Sequence, residues 1–271
     1  MERKASQTSI TIEPFSHYRY SSILERELRI DVYTPSDYGE NADTYPVIYF
    51  NDGQDMPRIG LVKTLEELIE QKAIPPIILV AVHANRDRMH EYGTSSRADY
   101  AGRGSRAALY SQFVVEELLA FTQQHYRITA KVEQRIFAGF SLGGLMAFDL
   151  VWHQAAHFGK VGVFSGSFWW RSKPMDKKDP DAHRIMYDLL SKSEKREGLK
   201  FWLQTGTEDE KEDRNNNGVI DAIDDTLDII RALRALGYEQ DDIHYVEVGG
   251  GKHHPSTWGL VLPDFLKWCF K

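Results

Sequence analysis

Cysteine is almost absent from this chain. Among 271 residues there is one, Cys269, so no internal disulfide can form and the thiol content requires no oxidising compartment. Its setting, Phe265-Leu266-Lys267-Trp268-Cys269-Phe270, reads as an apolar helical end, which makes it a core residue rather than a nucleophile. No apolar run approaches the roughly 18 residues of a membrane-crossing helix. The stretch Met1–Gln7 has charges but no apolar segment behind them, as a secretory leader would need, so the cytoplasm is the expected location unless a leader has already been removed. An excess of base is lacking as well. With 33 Lys plus Arg against 40 Asp plus Glu and a net charge of −7, neither nucleic acid nor an anionic membrane is an expected partner. Repeats, Pro- or Gly-rich linkers and low-complexity tracts are missing, which favours one domain over residues 1–271.

What is present is ample core material, 42% hydrophobic residues and 12% aromatics. The opening third alternates: Ser9-Ile10-Thr11-Ile12 and Glu25–Tyr33 have a period of two, the mark of half-exposed antiparallel strands. From residue 46 the strands read differently. Val47–Phe50, Ile77–Val82, Ile136–Ala138, Val161–Phe164, Phe201–Leu203 and Tyr245–Val248 are short apolar runs suited to burial on both faces of a parallel sheet. Helical patterns fall between them, at Leu61–Leu68, at Leu109–Phe121 with Tyr110, Val114, Leu118 and Phe121 on one face, and from about Asp225 to Leu236, closed by Gly237. An antiparallel start followed by alternating strands and helices is the α/β-hydrolase plan, a mostly parallel sheet covered by helices on both faces.

The segment Gln134–Ala147 carries the chemistry. It is an apolar strand, then Gly139-Phe140-Ser141-Leu142-Gly143, then a helix-forming stretch, the strand-turn-helix setting in which G-x-S-x-G presents a nucleophilic serine. The flanking glycines remove Cβ atoms that would collide in so tight a turn, and the helix N-terminus puts partial positive charge where an oxyanion develops. A serine hydroxyl needs a base, and the base needs an acid; on this plan they arrive in the order Ser, Asp or Glu, His. His253 and His254 follow the last strand within Gly249-Gly250-Gly251-Lys252-His253-His254-Pro255; His253 is favoured and His254 stays open. The acid falls after Lys200–Thr205, in Gly206-Thr207-Glu208-Asp209-Glu210, where Asp209 is favoured and Glu208 is the alternative. Backbone amides of Leu142 and Gln54 are the candidate oxyanion hole, the latter on the turn Asn51-Asp52-Gly53-Gln54 after the first central strand.

These residues resemble a known family. Gly139–Gly144, the Asp52-Gly53-Gln54 turn, Arg88-Met89-His90-Glu91-Tyr92 and Ser165-Gly166-Ser167-Phe168-Trp169-Trp170 look like an esterase family of α/β-hydrolases. It includes enterochelin esterases, S-formylglutathione hydrolases and feruloyl and acetyl-xylan esterases, and the likeness covers roughly residues 20 to 270. The resemblance implies Asp209 as acid, three residues after a glycine at a strand end, and His253 as base, with Trp258 five residues on. It implies serine ester hydrolysis through an acyl-enzyme, on a small-molecule or carbohydrate ester or a siderophore-type ester, with Trp169 and Trp170 as aromatic pocket walls and no organic cofactor. A thioester hydrolase of the S-formylglutathione type and a non-catalytic binding module on the same fold are the alternatives; the oligomeric state is open.

Downstream of the acid, Asp213–Asp224 matches a twelve-residue EF-hand-type loop. The expected ligands are Asp213, Asn215, Asn217, the Val219 carbonyl, Asp221 and Asp224, with Gly218 at the sharp turn, and the expected ion is a structural calcium. Asp224 stands where sensor loops carry a bidentate Glu, so weak affinity is expected. Residues 208–228 hold nine acids and two bases, an excess equal to the net charge of the whole chain, so this segment's partner is expected to be a cation.

Overall fold

The computed structural model describes residues 12–35, 37–40 and 43–271. Its frame is one eight-stranded sheet in the order β1-β2-β4-β3-β5-β6-β7-β8. Strands β1 (Glu13–Ser21) and β2 (Arg26–Thr34) form an antiparallel pair, and β2 joins β4 (Ile78–Val82) antiparallel. All other neighbours are parallel: β3 (Val47–Asn51), β5 (Arg135–Phe140), β6 (Lys160–Phe164), β7 (Lys200–Glu208) and β8 (Ile243–Lys252). This is the α/β-hydrolase architecture that the strand and helix patterns predict. The expected strand at Ser9–Ile12 lies outside the described residues except for Ile12, which is buried but not in a strand. Strand β1 itself has no clear sequence pattern, because Phe15, Tyr18 and Tyr20 stand exposed on the sheet edge.

Because side chains alternate along a strand, the continuous apolar runs feed two separate cores. Val47, Tyr49, Val80 and Phe137 join one cluster, which meets α3 (Ala107–Phe113), α4 (Leu119–His125), α5 (Leu142–His153), α6 (Ile185–Leu190) and α7 (Asp221–Ala235). Ile48, Phe50, Leu79 and Ala138 join the other, under α1 (Leu61–Glu70) and α8 (Pro255–Cys269). Cys269 sits in this second core, and burial pushes its thiol well above the ordinary range, so it is not a nucleophile. The helix expected at 109–121 extends over 107–125, with a π-helical turn at Val114–Leu118 between α3 and α4.

Strand order reverses between β3 and β5, since the chain builds outward from β3 to β4 on one side and from β5 to β8 on the other. In an open parallel sheet the crevice beyond the strand C-termini at such a point is the natural ligand site. Among the described residues no helix is long and apolar enough to cross a membrane.

Candidate active site

Strand β5 ends at Phe140 and α5 begins at Leu142, so one residue, Ser141, makes the whole turn. It adopts φ 54° and ψ −122°, a conformation that a residue with a Cβ enters only under strain of order 1–3 kcal/mol. The glycines around it let strand and helix meet. A Cβ on Gly139 would lie 2.3 Å from the Gly143 carbonyl oxygen, and one on Gly143 would lie 2.5 Å from the Asp52 carboxylate. The turn is held from outside by the Ser141 amide donating to Phe164 O at 2.8 Å and the Ser167 amide donating to Ser141 O at 3.2 Å.

The β3 end is pinned to this elbow. Asn51 Nδ2 donates to Gly143 O at 2.8 Å and accepts from the Tyr110 hydroxyl through Oδ1 at 2.7 Å. Asp52 is buried with φ 60° and is gripped bidentately by Arg88, both contacts at 2.7 Å. Two parallel charge-assisted bonds fix the loop direction as well as its position. The Gln54 side chain joins in, donating to Asp52 Oδ1 at 3.0 Å and accepting from the Ala84 amide at 3.0 Å. Leu142 opens α5, and Gln54 sits in the first turn of the short 3₁₀ helix Gly53–Asp55, so each amide belongs to the set that finds no acceptor within its own helix. Neither residue is among those lining the cavity described next.

Strands β7 and β8 deliver the other groups. Both run long, with a register shift between Gly206 and Glu208, and Asp209 and His253 follow their adjacent C-termini. Ser141, Asp209 and His253 share one cavity of about 320 Å³ with Ser167, Trp169 and Glu210. Asp209 accepts from the Gly206 amide through Oδ2 at 3.0 Å, while its buried Oδ1 has no partner among the described residues. Glu208 is exposed and its nearest cation is Lys252, at 3.9 Å. The two histidines divide likewise. His254 caps α8, its Nδ1 accepting from the Ser256 amide at 3.2 Å, whereas His253 faces the cavity, edge-on to Trp258 at 5.5 Å. Desolvation holds His253 below the ordinary histidine pKa, against the opposing pull of Asp209 and with Arg88 adding to the depression.

The Ser141 Oγ lies 3.5 Å from Ser167 Oγ, and among the described residues His253 makes no hydrogen bond to Ser141 or Asp209. Catalytic contacts of this kind are often loose without substrate and close in the complex. Trp258 braces the cavity from behind, donating from Nε1 to Ser165 Oγ at 3.0 Å and stacking on Phe140 at 4.7 Å.

Of the two expected aromatic walls, the structure brings only Trp169 to the cavity, half-buried. Trp170 is fully buried, wedged against Gly93 and Gly104, so its assignment as a substrate contact is corrected to packing. Consecutive residues in an irregular loop point in different directions, and the Trp-Trp pair cannot show which one faces out.

Four groups at or behind the site carry no strong pattern of their own. Glu210 lines the cavity; burial pushes its carboxyl up to about 7, against the Ala222 amide and with Asp221, Asp225 and Glu212 adding to the rise. Arg171, Arg184 and Arg214 form the others. Buried Asp225 meets Arg184 at 2.5 Å and Arg214 at 2.8 Å; Arg184 also meets Asp228 at 2.6 Å. Arg171 donates to the carbonyls of Trp169 and Pro180, both at 2.8 Å. Part of the charge of the acidic segment is therefore answered by Arg184 from outside it and by Arg214 within it.

The loop 213–224, where the calcium is expected, is closed by its own contacts. Gly218 turns at φ 85°, and Asn215 Nδ2 and Asn217 Nδ2 both donate to Asp224 Oδ2, at 3.1 and 2.8 Å. Asp213 accepts from the amides of Asn217 and Gly218, at 3.1 and 2.9 Å. The Asp213, Asn215, Asn217 and Asp224 side chains are thus linked on one loop. Asp221 Oδ1 is instead taken by the Arg214 amide at 2.8 Å and its guanidinium at 3.2 Å. Among the described residues no group of three or more His, Cys, Asp or Glu is arranged to hold a metal.

The family model described as "Putative esterase" matches residues 21–269. An uncharacterized protein of Bacillus subtilis, YbbA, is 21% identical over 89% of this chain and 92% of its own. The iron(III) enterobactin esterase of Escherichia coli is 25% identical over 69% of this chain, but the chain spans only 43% of that protein's length. A solved ferulic acid esterase superimposes with a TM-score of 0.73 at 17% identity, over 96% of this chain and 98% of that one.

Proposed function

The chain belongs to the Putative esterase family and is an ester hydrolase of the α/β-hydrolase fold, and from that premise we propose that it cleaves carboxylic esters through an acyl-enzyme on Ser141. The observation that carries this reading is the strained Ser141 turn opening on the same cavity as His253 and Asp209. His253, neutral at working pH, takes the proton as Ser141 Oγ attacks the ester carbonyl. The developing oxyanion is met by the Leu142 and Gln54 amides, with the α5 N-terminus adding its field. The alcohol leaves with the proton from His253, which then activates water to release the acid, while Asp209 holds the imidazole in the working tautomer. Trp169 offers a flat wall for a ring-bearing ester, carbohydrate-linked or siderophore-type; the named activities of the E. coli and ferulic acid relatives support that class. A purely binding role would leave the strain at Ser141 without a use.

A fluorophosphonate probe tests the assignment, because only an activated serine reacts. The expected outcome is one label per chain, on Ser141. The base works only when neutral, and the cavity depresses its pKa. Labelling should therefore hold as pH falls to about 6.5, the unperturbed histidine value, and decline only below it. A label elsewhere, or a decline centred well above pH 7, would refute the roles given to Ser141 and His253.

For the loop 213–224 we infer a weak structural calcium site, held by Asp213, Asn215, Asn217, the Val219 carbonyl and Asp224. Hard oxygens suit calcium, and Arg214 on Asp221 weakens the set. Calorimetry on chelator-treated protein should give a Kd in the millimolar range, on the order of 10⁻⁴ to 10⁻³ M; silence at several millimolar excludes the ion. The cytoplasm remains our reading of its location; the lone buried thiol requires no oxidising compartment.

A further inference from the structure

One carboxyl on the cavity wall has no part in the hydrolytic scheme. Glu210 directly follows Asp209 and lines the same cavity, together with Trp169 and Ala222 of α7. Its Oε1 is buried and finds no hydrogen-bond partner. The Ala222 amide acts on this carboxyl but leaves Oε1 unbonded, and, unlike the free Asp209 oxygen, which the imidazole answers in the catalytic scheme, Oε1 has no partner among the described residues. Among the described residues no cation pairs with Glu210: Arg171 is held on the Trp169 and Pro180 carbonyls, Arg184 on Asp225 and Asp228, Arg214 on Asp181, Asp221 and Asp225, and Lys252 on Glu208.

A buried acceptor without a partner is unfavourable in the free protein, and a donor that arrives from outside relieves that cost. On the wall of a binding cavity, that donor comes with the ligand. A site built to pair a substrate donor discriminates strongly against an analogue lacking it, because the analogue leaves the protein group unpaired.

We propose that Glu210 is a specificity residue whose Oε1 accepts a hydrogen bond from a donor on the ester substrate, a hydroxyl or an ammonium group. The proposal rests on Ser141 as nucleophile. The ester carbonyl occupies the Ser141 end of the cavity while the donor reaches the Glu210 wall, so the enzyme selects polyfunctional esters over plain alkyl esters of the same size.

The test uses matched p-nitrophenyl and alkyl esters, with the donor placed on the acyl chain in one series and on the alcohol in the other. Each series has a hydroxyl, an ammonium and a donor-free member. Wild type should favour a donor-bearing member, and the hydroxyl and ammonium arms identify which donor is read. Above about pH 8, where the Glu210 carboxyl is ionised, Glu210→Leu should lower kcat/KM for that member by about tenfold to a hundredfold, the range for a hydrogen bond to a charged group, and leave the donor-free ester within about twofold. Glu210→Gln, which keeps the shape and one acceptor, should fall between and guards against a folding defect in the leucine variant. Equal losses on all esters, or a wild type indifferent to the donor in both series, would overturn the role of Glu210 alone. Turnover by Ser141→Ala would instead overturn the nucleophile assignment beneath it.

Discussion

Ser141→Ala is expected to lower hydrolysis of p-nitrophenyl butyrate by about four to six orders of magnitude, the range seen when an acyl-transfer nucleophile is removed. The loss follows from geometry. Ser141 is the only residue between β5 and α5, and among the described residues its Oγ is paired with one side chain, Ser167, at 3.5 Å. Ser167 cannot take over, because its own amide is tied to the Ser141 carbonyl and it does not stand at the head of α5. Ser141→Gly separates chemistry from folding. It removes the hydroxyl and also the Cβ that strains the turn at φ 54°, so stability should rise by about 1 kcal/mol, or roughly 2–4 °C in Tm. A dead, stabilised glycine variant would show that the strain serves the position of the hydroxyl. A glycine variant that is both inactive and destabilised would mean the turn is held by the serine side chain, contrary to the contacts around it.

Most of what placed Ser141 was legible in the sequence, because the information is local. A strand, a tight turn and a helix lie within fourteen residues from Gln134 to Ala147, and each glycine there answers a contact at most five residues away or on the adjacent β3 loop. The strands were readable for a related reason: burial on both faces leaves a continuous apolar run. The acid and base needed more. Residue order alone left His253 beside His254 and Asp209 beside Glu208; what separates them is that His254 is used as a helix cap and Glu208 points to solvent. The Asp52–Arg88 clamp and the grip of Arg184 on Asp225 and Asp228 were not legible, because these partners are 36 to 44 residues apart and no period or motif links a cation to an acid over that distance. Trp170 misled because hydrophobicity reports a wish for burial or for a ring-bearing ligand in the same letters.

That hidden cluster carries the largest expected effect on stability. Asp225 is 1% exposed, and Arg184 and Arg214 converge on it from the loop preceding α6 and from the acidic loop after Asp209. Asp225→Asn removes the counter-charge that two buried guanidiniums share and leaves Arg184 on Asp228 and Arg214 on Asp181 and Asp221, so the cost falls at the low end of the about 3–5 kcal/mol typical of a broken buried pair. In a chain of this size the corresponding drop in Tm is roughly 10 °C. Asp228→Asn provides the contrast. Asp228 sits at the rim of the same cluster, 16% exposed on its side chain, so water can replace part of what is lost and the cost should stay near 1 kcal/mol. The functional consequence runs through the backbone. Arg171 holds the Trp169 carbonyl, Arg184 follows on the same excursion of chain, and Arg214 anchors the loop that starts at Asp209 and Glu210. Loosening the cluster frees two cavity walls at once while the elbow on β5 and α5 stays fixed. Asp225→Asn should therefore raise KM for ring-bearing esters several-fold, with fluorophosphonate labelling of Ser141 largely kept, when both are measured well below the lowered Tm. Equal Tm values for the two asparagine variants would mean that the arginines are hydrated or re-paired, and the cluster would lose its role in joining the walls of the site.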